Sequence, residues 1–450
     1  MNILILTGNG REHALAQAYS KSKKVKKIIM IPGNGLTDYN PSTSSGLDRK
    51  IKNYPDVAVG DFKSVLKICK QEKIDFVDVS QDDIIGAGYV DKFTEENIAT
   101  FGPTKKAAQI EWDKAWARDF MKKYQLPIPQ YETFSDANKA ITYVNKLYKK
   151  DSIASLQNDK NLVLFIKAAG LAGGKGVIRS ENKQQAIDAI NGMKEFGKSG
   201  DTFVIEQELK GSEFSLFALC DGKEYTIIGS AQDHKTVYNK NKGLNTGGMG
   251  CVSNPQIITP IVIKEVEEKI LQPFMIGMQK ENRPYSGVLY LGGMLTTSGV
   301  KVIEFNARWG DPETEVLVPA IKNDYVDIVN AVIHKKLSKL KIVSDNKKRL
   351  SVCGVSFGYP GDYKKTIGKE IFGLEEAMKI SGVTIYGAGV KRKGKKFFAN
   401  GGRLFHVMAE GKDIKEARQL AYAAMSMIYI EGNNLHFRTD IGWGELEKNL

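Results

Sequence analysis

The hydrophobic positions at the start of the chain follow a strand–turn–helix pattern. Residues 3–6 form an uninterrupted apolar run, residues 7–10 contain two glycines, and residues 12–20 have helical spacing. Two more apolar runs follow at residues 28–31 and 76–79. Short buried strands that alternate with helices are typical of a parallel sheet with crossover helices. The start of the chain is therefore predicted to be an α/β domain.

The rest of the chain favours strand pairs and a smaller α+β module. Two apolar segments, residues 163–167 and 177–178, flank a glycine-rich loop, which predicts a hairpin-like lid. Further strands are predicted at residues 203–206, 213–220, 225–229, 287–295, 301–305, 351–357 and 405–408. Helices are predicted at residues 113–124, 262–279, 325–336 and 414–429.

Composition narrows the class of protein. The chain has 450 residues, 42% of them hydrophobic and 26% charged, which excludes a disordered or collagen-like chain. Lys and Arg exceed Asp and Glu by 65 to 52, a net charge of +13. The lysine clusters carry no interleaved aromatic residues and no nucleic-acid-binding motif, so we interpret them as solvated surface. No nucleic-acid partner is expected.

The N-terminal segment, the lengths of the apolar runs and the cysteine spacing predict a cytoplasmic protein. The N-terminus has no basic segment before its apolar run, and no apolar run reaches the roughly 18 residues that span a bilayer. The four cysteines are far apart in sequence and form no C-x-x-C pair. This spacing argues against a disulfide framework or a zinc site and fits a reducing compartment.

Two glycine-containing segments are candidate phosphate sites. Residues 8–10 follow a strand and precede a helix, but His13 stands where a dinucleotide-binding fingerprint needs its third glycine. A tight turn and a phosphate site are equally good interpretations there. The second segment begins at Lys167 and runs through the loop at residues 170–176, where backbone amides can approach phosphate oxygens between flanking lysines.

The most specific motif is the segment at residues 304–313. Glu304 and Asn306 alternate along a predicted strand, so both side chains point to one face. A carboxylate and an amide oxygen are ligands that suit Mg²⁺. Arg308 lies on the same face and is able to hold a carboxylate or a phosphate through two hydrogen bonds. These residues predict a metal and anion site.

In their order along the chain, these segments resemble the ATP-grasp superfamily and, more closely, the phosphoribosylamine–glycine ligase family. The resemblance is carried by residues 10–14, 32–34, 101–104, 167–177, 230–235, 245–250, 304–313, 358–363, 400–403 and 440–443. It implies an ATP-grasp architecture of α/β and α+β parts. These are an N-terminal parallel-sheet α/β domain (1–124), an ATP-lid subdomain (125–206), a central ATP-grasp domain (207–330) and a C-terminal α+β module (331–450).

The resemblance also implies an activity. Enzymes of this family join glycine to 5-phosphoribosylamine through glycyl phosphate, giving glycinamide ribonucleotide, ADP and phosphate in de novo purine biosynthesis. The implied cofactors are ATP and Mg²⁺ or Mn²⁺. The implied partners are small molecules only, with no nucleic acid and no membrane, and we expect a monomer.

Site residues follow position by position from the resemblance. Those implied to bind ATP are Lys114, Lys167, Gly173, Gly174, Lys175, Gly176, Glu206, Leu209 and Glu213. Glu304 and Asn306 are implied to bind the metal, and Arg308 and Asp233 to act in catalysis. Those implied to contact the other substrates are Gly10, Arg11, Gly33, Asn34, Gly247, Gly248, Asp311 and Pro312.

The chain departs from the family pattern at Thr7, at residues 80–85, at Ala169 and at Gly444. Two of these positions lie where the ribosylamine is expected, which leaves open an ATP-grasp ligase that uses a different amine. A non-catalytic nucleotide-binding protein is a poorer hypothesis because the lysine, metal and arginine positions are all occupied. A nicotinamide oxidoreductase is poorer still, since it leaves residues 304–313 unexplained.

Overall fold

The computed structural model of the protein describes residues 1–39, 50–155, 162–172 and 176–447. The N-terminal strands are β1 (Asn2–Leu6), β2 (Lys27–Ile31), β3 (Ile51–Asn53), β4 (Phe76–Asp78) and β5 (Ala99–Phe101). The helices between and after them are α1 (Gly10–Ser20), α2 (Phe62–Gln71), α3 (Asp82–Gly86), α4 (Tyr89–Glu95), α5 (Gln109–Trp112) and α6 (Lys114–Lys123).

The N-terminal sheet is parallel, which confirms the sequence prediction. Its strand order is β3-β2-β1-β4-β5, and each neighbouring pair runs in the same direction. Leu4 and Leu6 belong to one hydrophobic cluster, whereas Ile3 and Ile5 belong to another on the opposite face. Because both faces are covered, β1 is apolar at successive positions.

The next unit is an antiparallel sheet of β6 (Tyr131–Phe134), β7 (Leu164–Ala168), β8 (Val177–Ser180) and β9 (Phe203–Gln207), in the order β6-β9-β7-β8. Helices α7 (Ala137–Ser155) and α8 (Lys183–Gly192) belong to it. The predicted hairpin is confirmed, since β7 and β8 pair antiparallel from Leu164↔Ser180 to Lys167↔Val177. The tip of its loop, residues 173–175, lies outside the described residues.

The third region supplies β10 (Ser212–Asp221), β11 (Tyr225–Asp233), β12 (Thr236–Tyr238), β13 (Lys242–Asn245), β14 (Gly250–Ser253), β15 (Ser286–Thr296) and β16 (Gly299–Asn306). Its helices are α9 (Pro260–Val266), α10 (Gln272–Lys280), α11 (Thr314–Leu317) and α12 (Tyr325–Ile333). A π-helical turn, Glu267–Leu271, joins α9 to α10. Pro273 has no N–H to donate within a regular ladder, which accounts for this interruption of the single helix predicted there.

The last region contains β17 (Lys348–Ser356), β18 (Glu370–Phe372), β19 (Val383–Gly387), β20 (Val390–Lys393), β21 (Lys396–Ala399), β22 (Arg403–Gly411), β23 (Tyr429–Ile430) and β24 (Leu435–His436). Its helices are α13 (Leu374–Ala377), α14 (Ile414–Met425) and α15 (Trp443–Glu447). The helix predicted over 414–429 was too long, because Tyr429 pairs with Phe372 in a second small sheet, β20-β21-β18-β23.

One large antiparallel sheet connects the third and fourth regions. Its order is β16-β15-β10-β11-β14-β17-β22-β19, with β24 also paired to β17. The connection is the pairing of β14 with β17, from Gly250↔Val352 to Val252↔Leu350. Since backbone hydrogen bonds run across this boundary, the C-terminal strands are held in fixed register with those that carry the candidate site. In the described parts of the chain, no helix is long and apolar enough to cross a membrane.

Candidate active site

A cleft of about 2260 Å³ lies between the N-terminal sheet, the β6-β9-β7-β8 sheet and the large sheet. A pocket for one small ligand usually occupies roughly 300–1,000 Å³, so this cleft has room for more than one substrate. The predicted site residues that line it are Arg11, Lys114, Lys167, Gly176, Glu206, Leu209, Glu213, Asp233, Gly247, Glu304, Asn306, Arg308 and Asp311.

The remaining predicted residues lie elsewhere. Gly10, Gly33, Asn34, Gly248 and Pro312 are not part of the cleft lining. Asn34 donates hydrogen bonds of 2.7 Å to the carbonyls of Gly8 and Gly387, so it ties the first turn of the N-terminal domain to the C-terminal region. Gly173, Gly174 and Lys175 fall outside the described residues.

One end of the cleft contains a buried ion-pair network around Glu206. Lys167 Nζ lies 2.6 Å from Glu206 Oε2, and Arg118 Nε lies 2.5 Å from Glu206 Oε1. Burial opposes ionisation of Glu206, but the two cations lower its pKa to about 2. Both carboxylate oxygens are therefore occupied by protein groups, and Glu206 is placed to orient Lys167 at the end of its strand.

Lys114 adds a second lysine to this end of the cleft. It is the first residue of α6, its backbone N–H donates to Ala169 O at 2.8 Å, and its Nζ lies 3.5 Å from Gly170 O. Burial lowers the pKa of Lys114, and Lys167 acts in the same direction, whereas Glu304 opposes the shift. An anionic ligand between the two lysines would relieve their mutual repulsion.

Glu304 and Asn306 occupy the end of β16, with Phe305 between them facing the hydrophobic core. The alternation predicted from the sequence is therefore present, because both polar residues line the cleft. Burial disfavours the charge on Glu304, but Lys235, Lys167 and other nearby cations lower its pKa. Described residues donate no hydrogen bond to this carboxylate, which leaves its oxygens available to a ligand.

Arg308 is held in place by a residue that sequence analysis missed. Its Nη2 lies 3.0 Å from Glu111 Oε1 and 3.1 Å from Asn306 Oδ1. Glu111 Oε2 also accepts a 2.7 Å hydrogen bond from Ala307 N–H, and burial raises the pKa of Glu111 to about 7 although Arg308 opposes this. Glu111 belongs to the short helix α5, almost 200 positions before Arg308, and no local pattern marks it.

Asp233 and Lys235 extend the cleft along the end of β11. Asp233 Oδ1 is buried without a hydrogen-bond partner among the described residues, and burial together with Glu313 raises the pKa of Asp233. Lys235 Nζ lies 3.1 Å from Oε2 of Glu213, one of the residues implied by the resemblance to bind ATP. Glu213 therefore has a cationic neighbour within the cleft.

Asp311 joins three parts of the chain at the back of the cleft. Its Oδ2 accepts a 3.2 Å hydrogen bond from the backbone N–H of Arg11, at the start of α1. Its Oδ1 lies 3.0 Å from Arg403 Nη1 and 3.3 Å from His406 Nε2, both from β22. Arg403 Nη1 also donates to the carbonyl of Gly247 at 2.6 Å. Neither Arg403 nor His406 was predicted as a site residue.

Taken together, the side chains form a cleft in which cationic groups lie beside oxygen ligands. Lys114, Lys167 and Arg308 present positive charge suited to phosphoryl oxygens. Glu304 and Asn306 present the oxygen ligands that a hard divalent cation prefers. This combination suits the transfer of a phosphoryl group with metal assistance.

Comparison with known proteins gives one consistent match. The Phosphoribosylglycinamide synthetase N domain, ATP-grasp (A) domain and C domain match residues 1–111, 112–314 and 349–444. Phosphoribosylamine–glycine ligase from Caldanaerobacter subterraneus subsp. tengcongensis is 37% identical over 447 residues, 99% of this chain and 100% of that protein. The Streptococcus pneumoniae protein of the same name is 36% identical, over 98% of this chain and 99% of that protein.

A solved structure agrees with these matches. The crystal structure of phosphoribosylamine–glycine ligase from Thermotoga maritima has a TM-score of 0.78 and 29% identity, covering 98% of this chain and 100% of that chain. A biotin carboxylase from Campylobacter jejuni, at 14% identity and a TM-score of 0.69, shares the fold. With relatives above 30% identity matched over their full length, the chain belongs to the phosphoribosylamine–glycine ligase family.

Proposed function

We propose that this protein joins glycine to 5-phosphoribosylamine with ATP, giving glycinamide ribonucleotide, ADP and phosphate. It is an ATP-dependent ligase of purine biosynthesis, as its curated relatives are. The observation that carries the proposal is the meeting of Lys114, Lys167, Glu304, Asn306 and Arg308 in one cleft. The predicted four-part division of the chain, a cytoplasmic location and a monomeric state remain predictions.

ATP is proposed to bind at the Lys167 end of the cleft. Lys114 and Lys167 would contact its phosphates, and the loop at residues 173–176 would cover them. Leu209 and its neighbours on the cleft wall would contact adenine, and Glu213 would accept hydrogen bonds from the ribose. Glu206 was predicted as a direct ATP contact, but its two bound cations favour an indirect role through Lys167.

Glu304 and Asn306 would hold the divalent cation. Their fit rests on the chemistry of the donor set on one face of β16: an ionised carboxylate, and an amide oxygen that accepts one hydrogen bond from Arg308 and keeps a second lone pair. When bound, Mg²⁺ or Mn²⁺ would neutralise charge on the phosphoryl oxygens. Arg308 would add a fixed guanidinium on the same side, held by Glu111.

The reaction would then proceed in two steps. A carboxylate oxygen of glycine attacks the γ-phosphorus of ATP, forming an O–P bond while the bond to ADP breaks. The amine of phosphoribosylamine attacks the acyl carbon, the C–N bond forms, phosphate leaves and the amine loses a proton. Asp233, Gly247, Gly248, Asp311 and Pro312 are proposed to surround the reacting groups.

The N-terminal domain is proposed to receive the phosphoribosyl group. Arg11 lines the cleft at the start of α1, and its backbone already contacts Asp311. Gly10 precedes it, while Gly33 and Asn34 would support this surface from behind. This arrangement would bring the amine close to the acyl carbon.

The proposal is tested by measuring ADP release with Mg-ATP and glycine, with and without freshly prepared phosphoribosylamine, and by detecting glycinamide ribonucleotide by mass spectrometry. We expect release and product only when both substrates are present. ATP binding with no response to phosphoribosylamine would refute this function and favour a ligase for another amine, with Asp82 on the cleft wall as the residue to examine.

A variant tests the metal assignment separately. Glu304→Ala should abolish phosphate release while circular dichroism remains that of the wild type, because the carboxylate faces the cleft and not the core. Glu268→Ala, at an exposed position within the π-helical turn, is the matched control and should retain full activity. Wild-type turnover by Glu304→Ala would contradict the assignment.

A further inference from the structure

Four titratable or charged side chains meet at the back of the cleft, away from the groups proposed for ATP and metal. Asp311 Oδ1 lies 3.0 Å from Arg403 Nη1 and 3.3 Å from His406 Nε2. His406 Nε2 lies 3.8 Å from Glu315 Oε1. Asp311 and Arg403 line the cleft, whereas His406 and Glu315 are fully buried behind them. The cluster therefore connects a largely buried carboxylate at the cleft wall to a fully buried support.

A β-bulge brings the two β22 residues to the same side of the sheet. The pairing of β17 with β22 passes from Gly354↔Phe405 to Val355↔Arg403, so Leu404 is an extra residue on β22. Leu404 and Phe405 are adjacent, yet both pack into the same C-terminal hydrophobic cluster. Side chains three residues apart on a regular strand point to opposite faces. The bulge is what lets Arg403 and His406 both reach Asp311.

Close packing fixes the position of His406. A Cβ atom added at Gly10 would lie 2.6 Å from His406 Cδ2, so the first residue of α1 must lack a side chain for the imidazole to fit. Cys353 Sγ lies 4.0 Å from His406 Nε2. With β22 on one side and α1 on the other, the ring has little freedom to turn away from Asp311.

The charges of the cluster favour a close contact between His406 and Asp311 that is not a well-aligned hydrogen bond. Burial lowers the pKa of His406 to about 4, so the ring is neutral at neutral pH. Burial and Asp311 raise the pKa of Glu315, so that carboxyl group is held neutral. Burial opposes the charge on Asp311, but Arg403, His406 and Arg11 lower its pKa. Both carboxyl groups lie on the Nε2 side of the ring, which favours the Nε2–H tautomer.

We infer that His406 is a positioning residue that aims the Asp311 carboxylate at the amino group of a substrate. The inference rests on the proposed function, and it assigns a role to a residue that does not line the cleft. Asp311 Oδ2 is taken by the Arg11 backbone, while Oδ1 has no well-aligned hydrogen bond among the described residues. Oδ1 is buried at the cleft wall, and an amino group that contacts Asp311 there would supply its missing hydrogen-bond donor. Both glycine and phosphoribosylamine carry such a group.

The test compares two substitutions at one position by steady-state kinetics. His406→Phe keeps a ring but removes the donor, and we expect KM for glycine or for phosphoribosylamine to rise about tenfold, with KM for ATP unchanged. The substrate whose KM rises is the one that Asp311 binds. His406→Gln restores an N–H donor and should recover part of the loss. A purely structural role would not produce this recovery.

Val407→Ala is the matched control. Val407 is the next residue on β22 and is buried in the C-terminal cluster on the opposite face, so its truncation should lower the melting temperature without changing either KM. If His406→Phe does not fold, the His406→Asn variant is used instead, because the asparagine side chain is too short to reach Asp311. Unchanged KM values in a folded variant would overturn the inference. Absence of product with the wild type would instead overturn the proposed function.

Discussion

Glu206→Gln removes the negative charge from the ion-pair network at the Lys167 end of the cleft. The carboxylate is almost completely buried, and each of its oxygens faces one cation. The neutral amide would leave Arg118 and Lys167 close together with no compensating charge. A buried ion pair broken on one side is strongly destabilising, because the remaining charge has already lost its hydration. We therefore expect both stability and ATP binding to fall.

The size of the effect follows from the pKa of Glu206. It falls from an ordinary 4.5 to about 2 in the folded protein. Each pKa unit corresponds to about 1.4 kcal/mol, so ionised Glu206 contributes on the order of 3 kcal/mol to folding at neutral pH. Because the folded pKa is depressed, this contribution is complete above the unfolded value and is lost as the pH falls from 4.5 towards 2.

The assay is denaturant unfolding of wild type and variant at neutral pH, together with KM for ATP. Glu96→Gln is the matched control, because Glu96 pairs at 3.0 Å with Lys70 and both side chains are exposed. An exposed pair of this kind contributes less than about 1 kcal/mol. If Glu206→Gln destabilised the protein no more than this control does, the reasoning about the buried network would be refuted. An unchanged KM for ATP in Glu206→Gln would refute the inference that Glu206 orients Lys167 for ATP binding.

Two further predictions concern the back of the cleft. Glu315→Gln should become increasingly stabilising relative to wild type as the pH rises above 4.5, because the unfolded wild type ionises this carboxyl group while the folded protein keeps it neutral. Unfolding midpoints at a pH of about 5 and about 8 would check this, and a constant difference would contradict it. Gly248→Ala should reduce both stability and turnover, since its Cβ would lie 2.5 Å from Pro312 Cδ and 2.8 Å from Asp233 Oδ1 at a φ of +116°. Gly192→Ala, where a Cβ meets open space, is its control in thermal melts and turnover assays, and equal effects of the two substitutions would argue against the steric explanation.

Much of the architecture could be predicted from local patterns. The continuous apolar run of β1 and the glycine turn after it indicated a parallel sheet, because only a strand covered on both faces is apolar at successive positions. The alternation of Glu304 and Asn306 around Phe305 indicated which two side chains share a face. Both inferences concern residues a few positions apart, where the strand repeat fixes direction.

The partners of those residues could not be predicted in the same way. Glu111 contacts Arg308, and Arg118 contacts Glu206, across long stretches of chain that no periodicity relates. Nothing in the short strand β14 indicates that it pairs with β17 and so joins two regions into one sheet. Such pairings are chosen by the packing of whole elements, which one-dimensional patterns do not encode.

The cluster behind Asp311 shows most clearly which features the sequence determines and which depend on the tertiary structure. Sequence motifs identified Asp311 as a candidate, because it stands in an unusual run of residues that resembles a known family. His406 and Glu315 carried no such signal, since a lone histidine and a lone glutamate are common on any strand or helix. Their role depends on one bulge at Leu404 and on the close approach of α1 at Gly10. The sequence determines which chemical groups lie close together along one strand or turn. Contacts between side chains that are distant in the sequence depend on how the strands pair and the helices pack.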